Sequence, residues 1–204
     1  QHPDDPAALV LRHGRYAPPH LPQLVRACEG RVGHELPGLV DERAVRPAPV
    51  LEDVRWVKQQ WGGKLILKGI MEVEDAVLAA NNGADAIVVS NHGGRQLDGA
   101  PSSIAALPAI VDAVGDKLEV WMDGGIRSGQ DVLKAWALGA RGTMIGRAMV
   151  YGLGAFGEAG VTKALQILHK ELDISMAFCG HTNIQTVDSK ILVPGTYPVA
   201  PKNA

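Results

Sequence analysis

With 204 residues, 46% of them hydrophobic and 21% charged, the chain has the composition of a globular protein with room for one or two domains and a real core. A net charge of −2 and the lack of any apolar run near the ~20 residues that span a bilayer argue against nucleic acid, an anionic membrane surface or a membrane span. The opening QHPDDPAALV has neither the basic nor the apolar region of a signal peptide, and Cys28 and Cys179 make no disulfide framework, so a cytoplasmic protein with free thiols is expected.

Residues 1–49 stand apart from the rest. The first 50 residues hold eight of the 13 prolines, four of the seven histidines and no lysine. Within them only 21–28 has helical character, and the remainder is expected to be irregular. His13, His20 and His34 are spaced by 7 and 14 residues, which fits no compact ligand set, so no metal is expected there.

From residue 50 to 204 the pattern is regular. An amphipathic helix is expected over 51–61, a strand over 64–68, and a helix over 72–82 that Gly83 stops. A strand follows over 86–90, then the loop SNHGGRQLDGAP and a helix over 102–114. The next strand is 118–123, and the next helix 128–138, with Ser128 and Asp131 spaced as a capping box. A strand over 142–146 and a long helix over about 154–172 complete the series. Short β-rich runs alternating with helices point to parallel βα units, because joining parallel strands takes a crossover of helical length.

A shift of 56 residues lays Gly69, Ile70, Asp75, Ala79, Gly83 and Ala84 over Gly125, Ile126, Asp131, Ala135, Gly139 and Ala140. That period covers two βα units, as stacking around a barrel would produce. Four units are too few to close an eight-stranded barrel of about 250 residues. The expected fold is therefore α/β, the C-terminal half of a (β/α)8 TIM barrel.

Active-site groups of such a barrel follow the strand C-termini. Lys68 ends one strand; Ser90, His92 and Arg95 follow the second; Asp123, Gly124, Gly125 and Arg127 follow the third; Gly146 and Arg147 follow the fourth. The stretches DGGIRSG and IGR put glycines where backbone amides approach an oxyanion, near helix N-termini, with an arginine in each, which suits a phosphate group. Lys68 would set a fixed cation in the barrel mouth. His92 can serve as a general base near neutral pH, with Arg95 able to clamp a carboxylate beside it.

The motifs LILKGI, GADAIVVSNHGGRQLDGAPSSIAALPAI and MDGGIRSGQDVLKAWALGARGTMIGRAMVYGLGAFGEAG resemble the C-terminal half of the FMN-dependent 2-hydroxy-acid oxidases and dehydrogenases, the family of glycolate oxidase, L-lactate dehydrogenase and mandelate dehydrogenase. The likeness runs over about residues 50–190, and the spacings agree: 24 residues from Lys68 to His92, 31 to Asp123 and 24 to Arg147. It implies FMN as cofactor and oxidation of an L-2-hydroxy acid to the 2-oxo acid. Carried over by position, it implies that Lys68 stabilises charge on the reduced flavin, Ser90 contacts the cofactor, and Asp123 holds ribityl hydroxyls. Gly124, Gly125, Arg127, Gly146 and Arg147 would hold the phosphate, with Arg127 also near the substrate. His92 would take a proton from the substrate, whose carboxylate Arg95 would bind.

The first four strands of that family are not in this sequence, nor is the aspartate that orients its histidine. The resemblance therefore implies an N-terminal half-barrel as partner for activity. Two alternatives stand beside this reading. One is a non-catalytic half-barrel that keeps a phosphate or flavin site and acts as a self-associating or interaction module. The other is a different phosphate-binding barrel, such as the type 2 isopentenyl diphosphate isomerases or IMP dehydrogenases, against which the pairing of His92 with Arg95 speaks.

Overall fold

The computed structural model describes residues 9–12 and 51–197, with side chains from residue 53 onward. The helix expected over 21–28, the histidines at 13, 20 and 34, and Cys28 lie outside the described residues.

Strands β1 (Leu9–Arg12), β2 (Leu65–Ile70), β3 (Ala86–Val89), β4 (Glu119–Met122) and β5 (Gly142–Thr143) form one parallel sheet. They lie side by side in chain order, β1 through β5. The helices are α1 (Leu51–Trp61), α2 (Val73–Asn81), α3 (Ser103–Val114), α4 (Gly129–Ala137) and α5 (Arg147–Phe178).

Strand periodicity sorts the two faces of the sheet. Ile87, Val89, Val120 and Met122 pack with Ala76 and Ala79 of α2, Leu107, Ile110 and Val114 of α3, and Ala135 of α4. Leu65 packs on Val54 and Val57 of α1. On the opposite face Ile66, Ala86 and Val88 gather with Trp121 and Met144. A doubly wound sheet reverses its strand order so that helices cover both faces. Here the order never reverses and the packed helices share one face, which is the arrangement of a barrel arc. The α/β half-barrel expectation holds.

Several boundaries differ from those read in the sequence. Strand β1 falls within the segment expected to be irregular. Its LVLR is only four residues long and pairs in register with LILK of β2, a partner more than 50 residues away. β5 is two residues long rather than the five of 142–146, although the Met144 amide still donates to Met122 O at 2.9 Å. The last helix begins at Arg147 rather than near 154 and breaks at Phe156 and Gly157, where Gly157 has φ +59°.

The 56-residue repeat is a repeat of backbone geometry. Gly83 and Gly139, at φ +88° and +102°, end α2 and α4. Beside them the amides of Ala84 and Ala140 donate to Ala79 O and Ala135 O at 3.1 and 3.0 Å. The same tight turn thus delivers the chain into β3 and into β5.

Candidate active site at the strand ends

Lys68, Ser90 and Asp123 continue the inward face of β2, β3 and β4, two residues beyond Ile66, Val88 and Trp121, and the structure brings them together. Lys68 Nζ donates to Ser90 Oγ at 2.7 Å and pairs with Asp123 Oδ2 at 2.6 Å. Lys68 is only 7% exposed, and the Asp123 carboxylate is its ionic partner there. Gly69 follows at φ +102° and shifts the register of β2 against β3 between Lys68 and Ile70. A bulge of this kind re-aims side chains at a strand end.

The His92 turn is tied to that cluster. Ser90 Oγ accepts the His92 amide at 3.2 Å, and Ser90 is itself 1% exposed. His92, Gly93 and Gly94 all have positive φ, at +58°, +68° and +74°. Arg147, expected at a phosphate, reaches back across the mouth and donates from Nη2 to Gly93 O at 3.0 Å. Arg95 and Arg127 are both exposed at this rim.

The two glycine loops turn out unequal. In the first, the N-terminal amides of α4 are already occupied. Asp131 Oδ2 accepts from the amides of Arg127 and Ser128 at 3.0 and 2.9 Å, completing the capping box, and Glu171 Oε2 accepts from Gly129 N at 3.0 Å. The start of α4 is thus engaged by carboxylates of the chain itself. Gly124 is packed: a Cβ there would lie 2.9 Å from Ser103 Oγ and 3.0 Å from Asn91 Oδ1. Gly125, at φ +97°, faces open space. In the second loop Gly146 precedes α5 without a side-chain cap, and it too has open space at its Cβ position.

Two groups outside the expected set touch this region. Asn91 accepts the Gly93 amide two residues on, a local bond that the Asn-His-Gly sequence carries as an Asx turn. Ser103 accepts the Asn91 amide at 3.1 Å from the start of α3, and no local pattern announces a contact across twelve residues.

The family model described as FMN-dependent dehydrogenase matches residues 18–194, beginning upstream of the residue near 50 where the motif likeness starts. An L-lactate dehydrogenase of Caulobacter vibrioides is 53% identical over 146 residues, 72% of this chain and 38% of that protein. A pre-mycofactocin synthase of Mycobacterium tuberculosis is 47% identical over 178 residues, 87% of this chain and 45% of that protein. Among solved structures, mandelate oxidase with (S)-4-hydroxymandelic acid is 45% identical with a TM-score of 0.68, over 72% of this chain and 41% of its own. A mandelate oxidase variant with a monooxide FMN adduct is 46% identical with a TM-score of 0.66, over 68% of this chain and 44% of its own. The chain spans less than half the length of these relatives. Because the family model matches residues 18–194 of the 204, the chain belongs to the FMN-dependent dehydrogenase family.

Proposed function

We propose that the protein carrying this chain oxidises a small L-2-hydroxy acid to the 2-oxo acid with FMN, and that the strands completing the barrel come from an N-terminal half. The observation that carries the reading is that Lys68 links Ser90 and Asp123 at the strand ends, with the His92 amide bonded to the same Ser90 hydroxyl. The residues present fit the cofactor. Asp123 Oδ1 is buried with no hydrogen-bond partner among the described residues, which is costly unless a donor such as a ribityl hydroxyl meets it. Gly125 and Gly146 leave room for an anion, and the uncapped N-terminus of α5 favours one.

FMN, when bound, supplies the acceptor for the substrate's electron pair. Lys68 holds a cation at the mouth and Asp123 takes a hydroxyl hydrogen bond. Gly124, Gly125, Gly146 and the arginines Arg127 and Arg147 would hold the phosphate. Arg95 grips the substrate carboxylate with a bidentate guanidinium, and His92 accepts one substrate proton. The names of the lactate and mandelate relatives support this substrate class. The consecutive strand order and the chain's share of its relatives' length support the missing half.

The test is optical. The purified holoprotein is expected to be yellow, and anaerobic addition of lactate, glycolate or mandelate to bleach it. A colourless, self-associated protein, or a yellow one that none of the three acids bleaches, overturns the proposal in favour of the non-catalytic module.

A further inference from the structure

His92 stands out in the backbone: among the described residues it is the one non-glycine residue with positive φ. Side chains with a Cβ resist that region, and a residue held there at a candidate site is kept there by its surroundings. Those surroundings include two side chains that no catalytic role claims. Asn91 Oδ1 accepts the Gly93 amide at 2.9 Å, and its Nδ2 donates to Pro101 O at 3.1 Å. The Asn91 amide donates to Ser103 Oγ at 3.1 Å, and Ser103 is 1% exposed at the first turn of α3. Gly124, beside Asp123, packs against the same two groups closely enough that a methyl would meet Ser103 Oγ at 2.9 Å.

We propose that Asn91 and Ser103 are positioning residues that hold the His92 backbone in its left-handed conformation and lock it to the Asp123–Gly124 loop. This rests on reading His92 as the base. Both Asn91 termini are engaged with the protein, one on each side of the turn, so the carboxamide acts as a strut between the histidine loop and the entry to α3. Ser103 joins the strut to the neighbouring strand end. A base must sit within hydrogen-bond reach of the proton it takes, and a group that fixes its backbone governs that reach without touching substrate.

The test compares Asn91→Ala, Ser103→Ala and Asn91→Asp in the holoprotein. Asn91→Asp keeps the acceptor for the Gly93 amide and serves as the conservative rescue. The alanine variants are expected to retain bound flavin and to keep KM within about threefold, while kcat falls about tenfold or more and the acidic limb of its pH profile moves. Asn91→Asp is expected to recover most of kcat. In parallel, the His92 imidazole is titrated by NMR and exchange of the Gly93 amide is followed. Both are expected to change in the alanine variants, whether or not the protein turns over a hydroxy acid. Unchanged His92 titration and Gly93 exchange in both alanine variants overturn the positioning role. A wild-type protein that oxidises none of the acids, with the NMR changes present, overturns the assignment of the reaction and leaves the strut standing.

Discussion

Lys68 and Asp123 meet as opposite charges in a place where either alone would be expensive. Removing one partner of such a buried pair typically costs more than the pair is worth, because the survivor keeps its charge without its solvent. Lys68→Met is therefore expected to lower the unfolding free energy by about 3 kcal/mol in urea titrations. Lys68→Met with Asp123→Asn is expected to recover most of that loss, and a double variant no better than the single one would contradict the coupling. At the other end of the strands Asp85 makes a different kind of cluster. Partial burial pushes its carboxyl up, but hydrogen bonds from Lys58, the Leu65 amide and Lys64, with the Lys58 charge, hold it down at about 2. A carboxyl with a lowered folded pKa gives stability that is present above its ordinary 3.8 and is lost as pH falls through about 2. Asp85→Asn is expected to flatten the stability profile across that window, read as urea midpoints against pH. Lys68, Ser90 and Asp123 stood out in the sequence because they end or directly follow strands, where a barrel gathers its functional groups. Ser103 did not, because its partner is set by where α3 lands.

At the scale of elements, legibility followed the range of the interactions. The capping box of α4 involves residues three apart, so Ser128 and Asp131 announced it, and both reciprocal bonds are present. α5 is the contrary case. Helical periodicity continues through Phe156 and Gly157, yet the chain breaks there and its two arms meet through Gly152 and Gly160. A Cβ on Gly160 would sit 1.9 Å from Gly152 O, so the arms must part to admit a methyl. Gly160→Ala is expected to cost about 2 kcal/mol or more, measured as a lowered urea midpoint, with helical circular dichroism retained. An unchanged midpoint would mean that the close approach of the two arms carries no stability. In β5, Gly142 lies against the Trp121 ring, where a Cβ would come within 3.1 Å of it.

For the whole molecule, the two ends of the sheet divide the labour. The alternation of strands and helices made the half-barrel readable, whereas β1, four residues in a Pro-rich segment, depends on pairing with β2 and has no local signature. The C-terminal ends carry Lys68, Ser90, His92 and Asp123, and the N-terminal ends carry Asp85, clamped by Lys58 and Lys64. In a barrel the first end reads as chemistry and the second as stability. The two carboxylates can therefore be exchanged for amides as a matched pair in the holoprotein. Asp123→Asn is expected to weaken flavin binding about tenfold or more, roughly 1.4 kcal/mol, as a charge-assisted acceptor is lost. Asp85→Asn is expected to lower the urea midpoint near neutral pH while leaving the flavin dissociation constant within about twofold, since the Lys58 and Lys64 contacts lie at the opposite end of the strands. Flavin titration and urea unfolding on the same two variants separate the outcomes. Should Asp85→Asn release flavin as readily as Asp123→Asn, the two ends are coupled through the strands, and the division of labour fails.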